Sequence, residues 1–154
     1  MKQTRHLLIA LALGTMLTSC GASVSTATVT GPAAYVDPYI GSGGHGHVFV
    51  GASVPFGAIQ AGPQNIHKGW DWCSGYHHSD SIVIGFAHTH LSGTGCTDMG
   101  DVQIMPYTGE LRSKRGRQED IGGSCSSYYS HDNESVSPGY YSLKMDNGVR
   151  IEMT

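Results

Sequence analysis

The stretch Tyr141-Ser142-Leu143-Lys144-Met145-Asp146-Asn147-Gly148-Val149-Arg150-Ile151-Glu152-Met153 decides the fold class. Tyr141, Leu143 and Met145 alternate with Ser142 and Lys144, and Val149, Ile151 and Met153 alternate with Arg150 and Glu152. Side chains of a strand point to opposite faces with a period of two, so each half reads as a strand with one apolar face. Asp146-Asn147-Gly148 between them is a hairpin signature. Register fixes the loop length. A two-residue Asn147-Gly148 loop pairs Met145 with Arg150 and Leu143 with Glu152, mixing apolar and charged partners. A three-residue loop pairs Met145 with Val149, Leu143 with Ile151 and Tyr141 with Met153, and all six share a face. A slip of one residue turns every side chain over, so the three-residue loop with Gly148 in the left-handed region is expected. Its cost is Lys144 opposite Arg150, offset by Glu152 diagonally across.

Working back along the chain, further strands are expected at 58–61, 81–90, 101–107 and 127–131, separated by Gly-Gly, Gly-Pro and Ser-Pro-Gly turns. No stretch carries a long helical apolar period, and the 22 glycines favour turns. Short strands in series make the fold class all-β, an antiparallel β-sandwich, with the hairpin's apolar face in its core. Thr154 falls inside the last strand, so the sandwich is expected to be incomplete, with an unpaired edge.

The N-terminus carries a different message. Lys2 and Arg5 precede an apolar run from Leu7 to Leu17, far short of the ~20 residues of a membrane-spanning helix. That is the layout of a secretory signal. It ends in Leu17-Thr18-Ser19-Cys20-Gly21, a lipobox, which makes Cys20 the lipidation site. The expected organisation is a lipoprotein signal peptide over 1–19, a flexible tether over 20–34 and a partial β-sandwich domain over 35–154. Acyl chains add about 0.8 kcal/mol per buried methylene, so Cys20 would hold the protein on a membrane at the cell envelope, periplasmic or at the cell surface. A cytoplasmic protein is excluded on this reading.

Composition narrows the partners. Only 14% of residues are charged and the formal charge is −3, which argues against nucleic acid. Arg112, Lys114, Arg115 and Arg117 form the one basic cluster, among Gly, Ser and Gln with Glu119 and Asp120 behind; it reads as a solvated loop. Cys73, Cys96 and Cys125 remain beyond Cys20, an odd number that allows at most one internal bridge, with Cys73–Cys96 the first pair to test. Their spacing matches no zinc-finger pattern.

Three glycine- and histidine-rich stretches carry the candidate chemistry: Asp37 to Gly57, Gly69 to His77, and Gly85 to Gly95, the last followed by Asp98 and Asp101. Trp70, Trp72 and Tyr76 can stack on sugar rings while Asp71 fixes hydroxyls, and glycines allow close backbone approach. The alternative is that the tryptophans simply pack beneath loops. In a continuous strand His88 and His90 would share a face with Ile82, Ile84 and Phe86. They could then hold one metal ion or form a buried hydrogen-bonded pair. His45 and His47 flank Gly46 and read as turn residues. Asn133-Glu134-Ser135 is a formal glycosylation sequon, without weight in a bacterial lipoprotein. No Gly-x-Ser-x-Gly, P-loop or dinucleotide fingerprint occurs, and spacing alone selects no carboxylate pair for glycoside hydrolysis.

Asp37-Pro38-Tyr39-Ile40-Gly41, Val54-Pro55-Phe56-Gly57, Gly69-Trp70-Asp71-Trp72-Cys73-Ser74-Gly75-Tyr76, His88-Thr89-His90-Leu91-Ser92-Gly93-Thr94-Gly95 and Ser137-Pro138-Gly139-Tyr140-Tyr141 together resemble the N-terminal domain of glycoside hydrolase family 92, from about Val36 onward. The resemblance implies an exo-acting α-mannosidase, with an N-terminal β-sandwich and a larger (α/α)₆ barrel. It further implies calcium dependence and an inverting mechanism, in which one carboxylic acid protonates the leaving oxygen and a carboxylate activates water. The acid, the base and most calcium ligands would belong to the barrel, which is absent from this chain, so no catalytic residue is assigned in it. On this resemblance the chain supplies the sandwich side of a pocket for a mannose-containing glycan, with Trp70, Asp71, Trp72, His88 and His90 as contacts and Cys73 as a weaker one. Asp98 and Asp101 would support the loop rather than touch substrate. The chain alone would be inactive; the rival reading is a stand-alone lipid-anchored carbohydrate-binding module.

Overall fold

The computed structural model describes residues 28–54, 57–93, 100–112, 114 and 124–154. The signal sequence, Cys20 and most of the tether lie outside the described residues, as do Pro55, Phe56, Thr94, Gly95, Cys96, Asp98, Arg115 and Arg117.

Among the described residues, seven short strands form two antiparallel sheets. In the first, β2 (Ile82–Ala87) is central: β1 (Gly62–Asn65) lies along one edge, and β3 (Gln103–Ile104) and β4 (Ser127–Tyr128) divide the other. In the second, β6 (Tyr140–Lys144) sits between β5 (Glu134–Ser137) and β7 (Arg150–Met153). The helical segments among the described residues are 3₁₀ turns at Gly31–Tyr35, Trp70–Trp72 and His131–Asn133. None is long and apolar enough to cross a membrane. The all-β, antiparallel expectation holds, and both sheets are open.

The β6–β7 hairpin adopts the expected register: Tyr141 faces Met153, Leu143 faces Ile151 and Lys144 faces Arg150. Met145 donates to Val149 O at 2.9 Å and Gly148 donates to Met145 O at 2.9 Å, closing the loop over Asp146, Asn147 and Gly148. Gly148 has φ +87°, where a side chain would be strained. One detail differs. Glu152 binds Arg150 of its own strand at 2.8 Å instead of relieving Lys144 from across the ladder.

The sheets face each other through Val83 and Phe86 of β2 and Tyr141 and Leu143 of β6, joined by Val50, Ala52, Tyr76, Tyr129 and Met145. Phe86 and Tyr141 meet with ring centroids 6.5 Å apart. Burying such side chains stabilises the fold by roughly 1.5–3 kcal/mol each.

Strand β2 corrects the alternation expected for 81–90. Gln64 pairs with Gly85 but Asn65 pairs with Val83, so Ile84 is the extra residue of a β-bulge. The bulge flips the pattern midway: Ile82 and Ile84 pack with Ile66 in a separate cluster, while Phe86 joins Val83 in the main core. Gly85 takes φ +150°, and Gln103 Nε2 donates to Ile84 O at 2.6 Å, satisfying the carbonyl at the bulge. The strand stops at Ala87, so His88 and His90 are not strand neighbours on one face.

The other boundaries also moved. The strand expected at 58–61 begins at Gly62, after a single bridge from Ala61 to Ala52. Pro63, which lacks an N–H, is accommodated because β1 lies at a sheet edge. Those expected at 101–107 and 127–131 shrink to two residues each, with His131 in a 3₁₀ turn. Strand β5 was not anticipated, because Ser135 and Ser137 leave Val136 as its only apolar side chain.

Candidate functional site

Glycine builds the first part of the site. Between Gly41 and His47 the chain folds back on itself, with Val48 N–H donating to Gly41 O at 3.1 Å. A Cβ on Gly46 would stand 2.1 Å from Gly41 O, so no side chain fits there. Past this turn His47 is the sole non-glycine with positive φ (+55°) among the described residues, a conformation that costs energy outside glycine and is enriched at functional sites. Its carbonyl accepts from Gly93 N–H at 2.7 Å, linking the first histidine loop to the third motif. His77 donates Nε2–H to Gly44 O at 3.1 Å and accepts Ser79 N–H at Nδ1.

The second part is the 3₁₀ turn Trp70–Trp72, entered through Gly69 at φ +135°. It presents Asp71 to both loop histidines: His45 Nδ1 lies 2.6 Å and His47 Nε2 3.3 Å from Asp71 Oδ1. The hydrogen bond from His45 is the main reason the Asp71 carboxyl sits below the usual carboxylate range. Trp70 is 60% exposed, and its ring meets His47 edge-on at 4.3 Å. The result is an open aromatic face beside a fixed carboxylate and two imidazoles. That set can stack on an apolar ring face and accept hydrogen bonds from hydroxyls.

Of the six residues expected to contact ligand, Trp70 and Asp71 come together here. Trp72 points its indole N–H at Asp80 Oδ2, 2.9 Å away, and stacks on His77. Buried Asp80 also binds Lys68 at 3.0 Å and the amides of Ser81 and Ile82, so Trp72 braces the turn. Cys73 is a buried free thiol; its suggested partner Cys96 is outside the described residues. His90 is 2% exposed, stacks on Phe49 and donates Nδ1–H to Gln60 O at 2.8 Å. Burial pushes its imidazole below the usual histidine value, so it is neutral near pH 7. His88 lines an apolar groove of about 300 Å³ with Phe86, Ile104, Ile151 and Met153. Thr89 Oγ1 lies 3.4 Å from Asp101 Oδ2, which agrees with loop support by Asp101.

Sequence reasoning missed His45 and His47. The signal that could have found them is the density of glycine around them: the chain folds back tightly at Gly46, where no Cβ fits against Gly41 O, and this sets His45 and His47 on either side of the closure.

Three comparisons define the relatives of this architecture. The profile of the glycosyl hydrolase family 92 N-terminal domain matches residues 35–154. An uncharacterized secreted glycosidase of Arthroderma benhamiae is 33% identical in an alignment of 129 residues that covers 78% of this chain and 15% of that protein. A family GH92 α-mannosidase from Bacteroides thetaiotaomicron, solved in complex with mannoimidazole, superposes with a TM-score of 0.75 and 44% identity over 79% of this chain and 16% of its own. The GH92 family glycosyl hydrolase ccman5 superposes with a TM-score of 0.63 and 28% identity, again over 79% of this chain and 16% of that one. The fold and its relatives thus define a glycoside hydrolase domain. More particularly, the chain belongs to glycosyl hydrolase family 92 and matches its N-terminal domain. It spans about a sixth of the length of these relatives.

Proposed function

We propose that this chain is the N-terminal domain of an exported α-mannosidase that removes terminal α-mannosides from glycans, and that it forms one wall of the sugar pocket. The observation that carries the proposal is the exposed Trp70 beside Asp71, with Asp71 held by His45 and His47. In the proposed role the indole covers an apolar face of the sugar and the Asp71 carboxylate accepts from its hydroxyls. The 44% identity to a GH92 α-mannosidase supports the substrate class.

An inverting reaction needs an acid and a water-activating carboxylate on opposite faces of the bond, roughly 6.5–9.5 Å apart. We assign that pair to the part of the enzyme beyond these residues, so this chain alone binds but does not turn over. Calcium takes oxygen ligands, six to eight of them. The donors gathered here are one carboxylate and two imidazoles, which do not fit it. The calcium implied by the family is therefore assigned elsewhere in the enzyme, and no step is derived through it. Organisation follows the same reading: signal over 1–19, tether over 20–34, anchoring through lipidated Cys20 at the cell envelope, and the domain from residue 35, where the family match begins.

The test pairs calorimetry with an activity assay. Methyl α-mannoside should bind the purified chain, and Trp70→Ala should abolish binding without lowering Tm. Turnover of an aryl α-mannoside with calcium would overturn the assignment of catalysis elsewhere. Unchanged affinity in Trp70→Ala would overturn the site.

A further inference from the structure

A second histidine cluster lies apart from the Asp71 site. His78 sits in the turn before β2, His131 in the 3₁₀ turn before β5, and Glu134 opens β5. One imidazole nitrogen from each histidine and one Glu134 oxygen lie within 4.8 Å of one another. The two imidazoles stack at 4.3 Å with 29° between their planes. His131 Nδ1 is 2.6 Å from Glu134 Oε2, while His131 Nε2 is buried and without a hydrogen-bond partner among the described residues.

We infer that His78, His131 and Glu134 form a binding site for a borderline transition-metal ion of the zinc class. Two imidazoles with one carboxylate suit zinc, nickel or copper and do not suit calcium or magnesium, which take oxygen ligands. Three protein ligands with an open fourth position form a recurrent zinc arrangement. Supporting hydrogen bonds are already in place. Tyr141 donates to Glu134 Oε1 at 2.8 Å and Tyr76 donates to Oε2 at 3.0 Å, which orient the carboxylate as a supporting shell does around metal ligands. His78 is exposed and His131 partly so, which gives the ion an entry path from solvent. The His78 backbone N–H donates to Ser42 O at 2.7 Å. An ion here would tie the glycine loop that carries His45 and His47 to the second sheet.

The experiment saturates the purified chain with zinc, removes excess by dialysis and measures retained metal by elemental analysis. Thermal melts with zinc and with a chelator run alongside, and cobalt serves as a visible-absorption probe of coordination. The expected result is one equivalent of zinc, a higher Tm with zinc, and a four-coordinate cobalt spectrum. His78→Ala should weaken zinc by roughly tenfold or more, the scale on which even supporting partners act. His78→Ala removes the ring's contacts with Tyr39, Tyr76 and His131, so its folding is checked alongside. Should it fold poorly by circular dichroism, His78→Gln replaces it and reads out the same loss of a nitrogen ligand. No retained zinc, or equal retention by the His78 variants, would overturn the inference. Loss of zinc on His45→Ala with retention in His78→Ala would equally overturn it, by moving the ion to Asp71.

Discussion

Replacing Glu134 with glutamine keeps nearly all of the side chain's volume and removes its charge from the centre of a ring of donors. The Glu134 side chain is fully buried. It accepts from Tyr141 at 2.8 Å, Tyr76 at 3.0 Å and His131 at 2.6 Å. Burial, and after it the Glu134 carboxylate, raises the hydroxyl pKa of Tyr39, Tyr76, Tyr129 and Tyr141, so all four remain protonated at neutral pH. Bonds to a charged acceptor contribute about 1.5–3 kcal/mol and neutral ones about 0.5–1.5 kcal/mol. Losing the charge across three bonds therefore costs about 3 kcal/mol, and relief from burying a carboxylate lowers the net to roughly 2 kcal/mol. With a urea slope of about 1.5 kcal/mol/M, the unfolding midpoint should fall by roughly 1.3 M at unchanged slope. Tyr141→Phe, which removes one donor, should cost about half as much. A Glu134→Gln midpoint within about 0.3 M of wild type, or above it, would refute the view that a charged acceptor organises this core.

Gly85→Ala puts a Cβ 2.4 Å from Gln103 Nε2 at a backbone φ of +150°, so it should destabilise by about 1–3 kcal/mol, read as a urea midpoint shift. Leu143→Ala empties a fully buried position on the middle strand of the second sheet and should cost roughly 3 kcal/mol in the same assay. His90 has a folded pKa below its unfolded one, so the unfolded chain binds more protons as pH falls through about 6.5. Stability should decline from pH 7 toward pH 5, with a flatter profile in His90→Gln; matching profiles would sink the idea that a buried neutral His90 sets the slope.

How much was legible in the sequence depended on how local the deciding physics was. The β6–β7 register could be worked out because six apolar residues and one glycine constrain it within thirteen positions. Strand β2 was located, but the bulge at Ile84 was not, because it depends on Asn65 pairing from a distant strand and on Gln103 from another. The expected His88–His90 face does not form because the strand stops at Ala87. Trp70 and Asp71 could be singled out by their motif. Trp72 could not be separated from them, since its assignment to Asp80 is a contact eight residues away. Strand β5 was hidden by its serines, and Glu134, the hub of the tyrosine ring, looked like part of a glycosylation sequon.

The bulge also changes what a deletion would mean. In a regular strand each residue's side is set by counting, odd or even, from either end. At Ile84 the count is reset, so a six-residue strand serves two separate apolar clusters. Deleting Ile84 would shorten β2 by one residue and also restore strict parity. Phe86 would then follow Val83 by two positions and keep its place facing Tyr141, so the loss would fall on the smaller cluster, which would be left with Ile66 and Ile82 alone.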